Sequence, residues 1–221
     1  MPIKFKTIKE DPYLRHFVEV ADKNVRQLGL TSHGLDHVGL VAHRARNLAE
    51  ALGFPKPEIE LCEISAFFHD MGNFIGRQSH SYWSGFLIYP ILLKYKATPE
   101  EISTIMNAIV SHDKRELKIF NKTTAIVVIA DKSDVRRSRV TDWGGKHEND
   151  MHDRVNYAAT SSELRFDAKS QAIILEIGID TNITPIMEYF EIFTERMQFC
   201  REAAEYLGCK FGLVINGTVI L

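Results

Sequence analysis

Cysteine is scarce in this 221-residue sequence. Cys62, Cys200 and Cys209 form no CxxC pair, and their odd number predicts reduced thiols in a cytoplasm, buried as small hydrophobes. An excess of one charge is lacking too. Lys plus Arg number 27 against 29 Asp plus Glu, and a net charge of −2 gives no general reason to bind nucleic acid polymers or membrane. The opening MPIKFKTIKEDPY has no apolar core of the kind that directs secretion. No stretch approaches the roughly 20 apolar residues of a membrane span. Internal repeats and low-complexity tracts are absent as well. Apolar side chains are plentiful: 45% of residues are hydrophobic, enough to bury a full core as one domain or one domain plus an appendage. A soluble cytoplasmic enzyme is the class that remains.

The chain has two textures. From Asp11 to about Arg139 the pattern is helical. Asp11-Pro12 reads as an N-cap followed by proline at the first helical position, and the helix stops at Gly29. A second helix begins near Ser32, with Val38, Val41, Ala45, Leu48 and Leu52 on one face, and ends at Gly53. A third runs from Pro57 to Gly72, and a fourth from about Ser79 to Tyr95 with a predicted kink at Pro90. Thr98-Pro99-Glu100-Glu101 is a capping box for a fifth that ends near His112, and a sixth spans about Lys122 to Arg137.

Beyond the polar stretch RSRVTDWGGKHENDMHD, two strand-like runs, VNYAATSSELRFD and QAIILEIGID, read as a hairpin. Thr184-Pro185 opens a long helix that closes at Gly208, and CKFGLVINGTVIL reads as a last strand. The expectation is a mainly α protein: a helical domain over residues 1–140, then a polar loop and a ββαβ appendage over 141–221 packed on it, α+β overall. Trp143-Gly144-Gly145 reads as an irregular surface loop. His152, Asp153 and Arg154 read as a loop entering the hairpin, a candidate wall of an active-site mouth.

The strongest chemical signal is His69-Asp70 inside the apolar run ISAFFHDMGNF. An imidazole and a carboxylate are costly to bury unless paired or bound to metal. Partners of the right type recur on or beside segments that read as apolar helices: His37 in GLDHVGLVAHRA, His80 in RQSHSYWSG, His112 in AIVSHDK and Asp131 in VVIADKSDV. Four His and two Asp from five segments make a nitrogen and oxygen cage for one or two transition-metal ions. His33, one turn before His37, is an alternative to it, and Lys132 is a candidate salt-bridge partner for Asp131. Adjacent residues on a helix differ by about 100° in direction. His69 is therefore expected on one ion, with Asp70 bridging to a second ion or to its water.

The ordered set H…HD…H…H…D, carried by DHVGLVAHRARNLA, HDMGN with HSYWSG, IVSHD and IADKSDVRR, resembles the HD-domain superfamily of metal-dependent phosphohydrolases. The resemblance covers roughly residues 10 to 140. It selects His37 over His33, and His80 and His112 coincide with the extra histidines of the two-metal subgroup. It implies a helical HD bundle and a binuclear site of His37, His69, Asp70, His80, His112 and Asp131, with His69 and Asp70 catalytic. Two divalent transition metals per chain are implied, Fe or Mn first, then Mg, Co, Ni or Zn. The implied reaction is hydrolysis of a nucleotide or other small phosphoester.

Arg44, Lys132, Arg136, Arg137 and Arg139 are the candidate phosphate contacts. The family's arginine three residues after the first histidine is Leu40 here, and its lysine after HD-x-G is Asn73. The expected partner is a small phosphorylated substrate, without nucleic acid polymer or membrane, and a homo-oligomer is left open. Two other classes remain in view. HD proteins that resemble myo-inositol oxygenase use the same six ligands for di-iron O₂ chemistry, and a regulatory binding module would keep only a structural metal.

Overall fold

The computed structural model describes residues 3–113, 119–140 and 150–221. Trp143-Gly144-Gly145 and most of the polar stretch before the hairpin lie outside the described residues.

A short helix α1 (Phe5–Lys9) precedes α2 (Pro12–Gln27), whose N-cap Asp11 accepts hydrogen bonds from the backbone N–H groups of Tyr13 and Leu14. Then follow α3 (Leu35–Ala51), α4 (Lys56–Phe68), α5 (His80–Lys94), α6 (Pro99–Ser111) and α7 (Lys122–Lys132). The Thr98 capping box at α6 is present as the sequence predicts. α4 and α7 form the centre of the bundle. Ile59–Phe68 is buried apart from Leu61, and Thr123–Ala130 is buried throughout. These two helices pack on one another, on α3 and on α6, so their apolar character on all sides is the signature of a core position. Among the described residues, no helix is long and apolar enough to cross a membrane.

The C-terminal part contains α8 (Met151–Ala158), β1 (Ala159–Asp167), β2 (Ala172–Ile179), α9 (Ile186–Tyr206), β3 (Lys210–Ile215) and β4 (Thr218–Val219). The sheet order is β1-β2-β3-β4. β1 and β2 are antiparallel, β2 and β3 are parallel across the α9 connection, and β4 folds back on β3. α9 packs between this sheet and α7, and β1 touches α3. The molecule is thus a mainly α protein with a small sheet, α+β overall.

Four local departures from expectation have physical causes. The segment Val155–Ala158 is helix, not strand, because Asp150 caps α8 through the N–H groups of His152 and Asp153. The tail holds two strands, joined where Asn216 (φ 48°) and Gly217 (φ 76°) make the left-handed pair that an Asn-Gly hairpin uses. The sixth helix stops at Lys132, short of Arg137, where the Ser133 hydroxyl donates to the Ala130 carbonyl. The third ends at Phe68, leaving His69 as its cap, and Met71–Phe74 continues as a short 3-10 helix.

Candidate metal centre

Five elements deliver the six candidate ligands to one place. His37 lies in the first turn of α3, His80 begins α5, and His112 caps the C-terminus of α6. Asp131 lies in the last turn of α7, and His69-Asp70 follows α4. The HD pair is therefore not on a continuing helix. Asp70 has φ −103° and ψ 0°, outside the regular α geometry, and this turns its carboxylate away from the direction a helix would impose. Gly72 sets the next step. A Cβ there would lie 2.1 Å from the His80 carbonyl oxygen and 2.6 Å from the Ser84 nitrogen, so only glycine lets the start of α5 rest on this turn.

Asp70 sits at the middle of the cage. Its Oδ2 is 3.2 Å from His69 Nε2 and 3.6 Å from His37 Nε2. Its Oδ1 is 3.0 Å from His80 Nε2 and 3.7 Å from His112 Nε2. Asp131 Oδ1 closes the first side, 3.4 Å from His37 Nε2 and 3.5 Å from His69 Nε2. Three overlapping groups have ligand atoms that all lie within 4.8 Å of one another: His37, His69 and Asp70; His69, His112 and Asp131; and Asp70, His80 and His112.

Every one of the four imidazoles is held by its other nitrogen. Nδ1–H donates to the Ala66 carbonyl from His69 (2.7 Å), to the Ile109 carbonyl from His112 (2.6 Å) and to the Arg77 carbonyl from His80 (3.0 Å). In each case the acceptor lies three residues back. His37 Nδ1 instead donates to Asp134 Oδ2 at 2.7 Å. A carbonyl can only accept, so the proton sits on Nδ1 and Nε2 is left to face the cage.

Charge and solvation agree with a cation at the centre. Burial would lower the His69 pKa, yet Asp70 and Asp131 beside it raise it to about 10. Burial would raise the carboxyl groups, but His69 and His33 hold Asp70 well below the usual carboxylate range, and Lys132 and His69 do the same for Asp131. Two ionised carboxylates in a buried cage call for positive charge among them. Among the described residues, the Nε2 atoms of His37 and His69 are buried and have no hydrogen-bond partner. Nitrogen and oxygen donors with orphaned imidazole nitrogens fit a divalent transition metal.

The cage opens into a cavity of about 220 Å³ lined by Asp70, His112 and Asp131, by the cations Arg77, Lys132, Arg139 and Arg196, and by His33, His152, Asp153 and Asn156 among others. Of the phosphate candidates, Lys132 and Arg139 line it. Arg44, Arg136 and Arg137 are not among its lining and are committed elsewhere. Arg44 ties α3 to β1 through Ser133 Oγ and the Ser162 carbonyl, Arg136 pairs with Asp134, and Arg137 stacks on Tyr157. The correction follows from direction: seven residues along α3, Arg44 meets the sheet instead of the cavity.

His33 belongs beside the cage as well as His37. Its Nδ1 is bound by the Thr31 carbonyl and its Nε2 lies 3.8 Å from Asp70 Oδ2. Asp134, Arg77 and Arg196 were not singled out by sequence reasoning. For Asp134 a signal existed, a second aspartate three residues after Asp131 in ADKSD. Arg196, on a helix distant in sequence, carried none.

A family model described as HD domain matches residues 34–136. Among solved structures, a predicted HD superfamily hydrolase from an uncultured Thermotogales bacterium is similar at 18% identity, over 59% of this chain and 73% of that one, with a TM-score of 0.44. No curated protein matches the chain. The stretch that matches the HD domain model contains all six cage residues.

Proposed function

We propose that this chain is a metal-dependent phosphohydrolase that cleaves a nucleotide or another small phosphoester, with His37, His69, Asp70, His80, His112 and Asp131 holding two divalent ions. The observation that carries this reading is the convergence of four Nδ1-anchored imidazoles on the two carboxylates, beside a cavity whose lining includes Arg77, Lys132, Arg139 and Arg196. Divalent metal at such a site lowers the pKa of water and neutralises phosphate oxygens.

The chain's own residues do the rest. The two oxygens of Asp70 face different histidine pairs, so this carboxylate bridges the halves of the cage and orients the attacking water. Lys132 and Arg139 attract the phosphate oxygens from the cavity side. Lys132 is held by Asp131 (2.7 Å) and Asp113 (3.2 Å), which fixes its ammonium beside the ligand set. In this reading residues 1–140 form the catalytic domain and 141–221 a smaller unit packed on it, whose α8 and α9 supply one wall of the cavity.

The test is release of inorganic phosphate from a panel of nucleotides and sugar phosphates under strict anaerobiosis, with Mn²⁺, Fe²⁺, Co²⁺ or Mg²⁺ added separately. Turnover with a redox-inert divalent ion is expected. Activity seen only with iron and O₂ together would overturn the proposal in favour of di-iron oxygenase chemistry.

A further inference from the structure

Four cations line the cavity, and three of them are already occupied. Lys132 is bound to two carboxylates, Arg139 donates to the Ser32 and Asp134 carbonyls at 3.1 and 2.9 Å, and Arg77 donates to Asn73 Oδ1 at 3.3 Å. Arg196 is different. It projects from the middle of α9, far in sequence from the cage, with its guanidinium carbon 4.8 Å from the centre of the Phe193 ring. Among the described residues it makes no hydrogen bond or ion pair. Phe193 is itself buried, so the guanidinium rests on a fixed aromatic platform, and Arg196 lines the cavity.

A half-buried guanidinium without a carboxylate partner is costly, because its five donors lose water without gaining acceptors. Arginines that serve only the surface avoid this by extending their heads into solvent. Burial also acts against the charge of Arg196 and lowers its pKa, with Asp131 and Asp113 opposing that from a distance. A guanidinium held flat on a ring, with its fork unused, is pre-organised for an oxyanion.

We propose that Arg196 is a substrate-binding residue that takes the non-bridging oxygens of a phosphoryl group in the cavity beside the cage, so that the C-terminal helix contributes directly to substrate recognition. This rests on the phosphohydrolase reading for the identity of the anion. The fork of Arg196 would donate to two oxygens at once, and a terminal phosphomonoester, unlike a diester, keeps a third oxygen free to face the cage.

The probe is inorganic phosphate, titrated calorimetrically into the manganese-loaded full chain, wild type against Arg196→Met and Arg196→Lys. Methionine keeps an unbranched chain over Phe193 and removes the charge. Arg196→Met should weaken phosphate binding by about tenfold or more, the loss expected for a charged hydrogen-bonded pair. Manganese content should stay unchanged. Arg196→Lys should fall between the two, because a point charge cannot reproduce the fork. Wild-type protein that binds no phosphate, or equal affinity in Arg196→Met, overturns the inference. If Arg196→Met does not fold, undiminished affinity in Arg196→Lys does so instead. Arg196-dependent phosphate binding without hydrolysis of any ester would sink the hydrolase reading alone. Ester hydrolysis with phosphate binding indifferent to Arg196 would sink this inference alone.

Discussion

The two histidine pairs around Asp70 are held to different standards. His37 and His69, with Asp131, form the inner half: both Nε2 atoms are buried with no hydrogen bond among the described residues, and His37 is backed by a carboxylate that is itself ion-paired to Arg136. His80 and His112 form the outer half. Their Nε2 atoms lie 3.3 Å apart, His80 is 3.4 Å from Arg77, and His112 lines the cavity while His37 and His69 do not. Both outer imidazoles lean on backbone carbonyls alone. A carboxylate buttress raises ligand basicity more than a carbonyl does, and nearby cations lower the affinity for another cation. On the two-ion reading the Asp134 buttress makes the inner position the tighter one, although His69 too leans on a carbonyl and Lys132 sits 2.7 Å from Asp131.

The largest expected effect comes from removing what the halves share. Asp70→Ala should lose metal and turnover together while far-ultraviolet circular dichroism keeps its helical signature. The variant should also lose the rise in melting temperature that added metal gives the wild type, since metal bound only by the native state stabilises it by mass action. Normal activity in the purified variant would remove the catalytic core of the proposal.

Next in size is the contrast itself. In anaerobically prepared protein, elemental analysis of wild type should approach two metals per chain. His112→Ala should lower this toward one, the inner position surviving. If wild type holds one and His112→Ala changes nothing, the centre is mononuclear and the outer histidines serve another role. The smallest effect sharpens the inner half. Asp134→Asn keeps the shape but weakens the hold on His37 Nδ1. Metal affinity should fall by about 10- to 100-fold, the usual range for such outer partners, with the fold retained. An unchanged affinity by competition with a chelator would show that the buttress is only structural.

Much of this was legible because the helical domain is locally consistent. The Asp11 and Thr98 caps, the glycine stops and the apolar stripes each belong to a stretch that forms its helix largely from its own residues. His69, Asp70 and Asp131 were legible for the opposite reason, since a histidine or aspartate in an apolar run violates the local pattern, whereas His37, His80 and His112 were selected by the family resemblance. Arg44 and Arg196 were not legible. Each depends on a contact distant in sequence, Arg44 with Ser162 and Arg196 with a cavity whose other lining residues all lie between 29 and 156, and no spacing rule reaches that far. The α8 misreading had a nearer cause. The capping aspartate before His152 was present, but the β-prone run after it outweighed that signal.

The contact at Gly72 has a consequence for how such cages vary. The Gly72 N–H donates to Ser84 Oγ at 2.8 Å, and that hydroxyl donates to the His80 carbonyl at 2.9 Å. The outer half is thus clamped to the HD turn through space, across a five-residue connector, 75–79, that contributes none of the six ligands. Residues added before Arg77 would keep this clamp as well as the hold of the Arg77 carbonyl on His80 Nδ1. What the clamp demands is a missing side chain two positions after the aspartate, so the spacing from aspartate to histidine is set by contact through space and by the connector together.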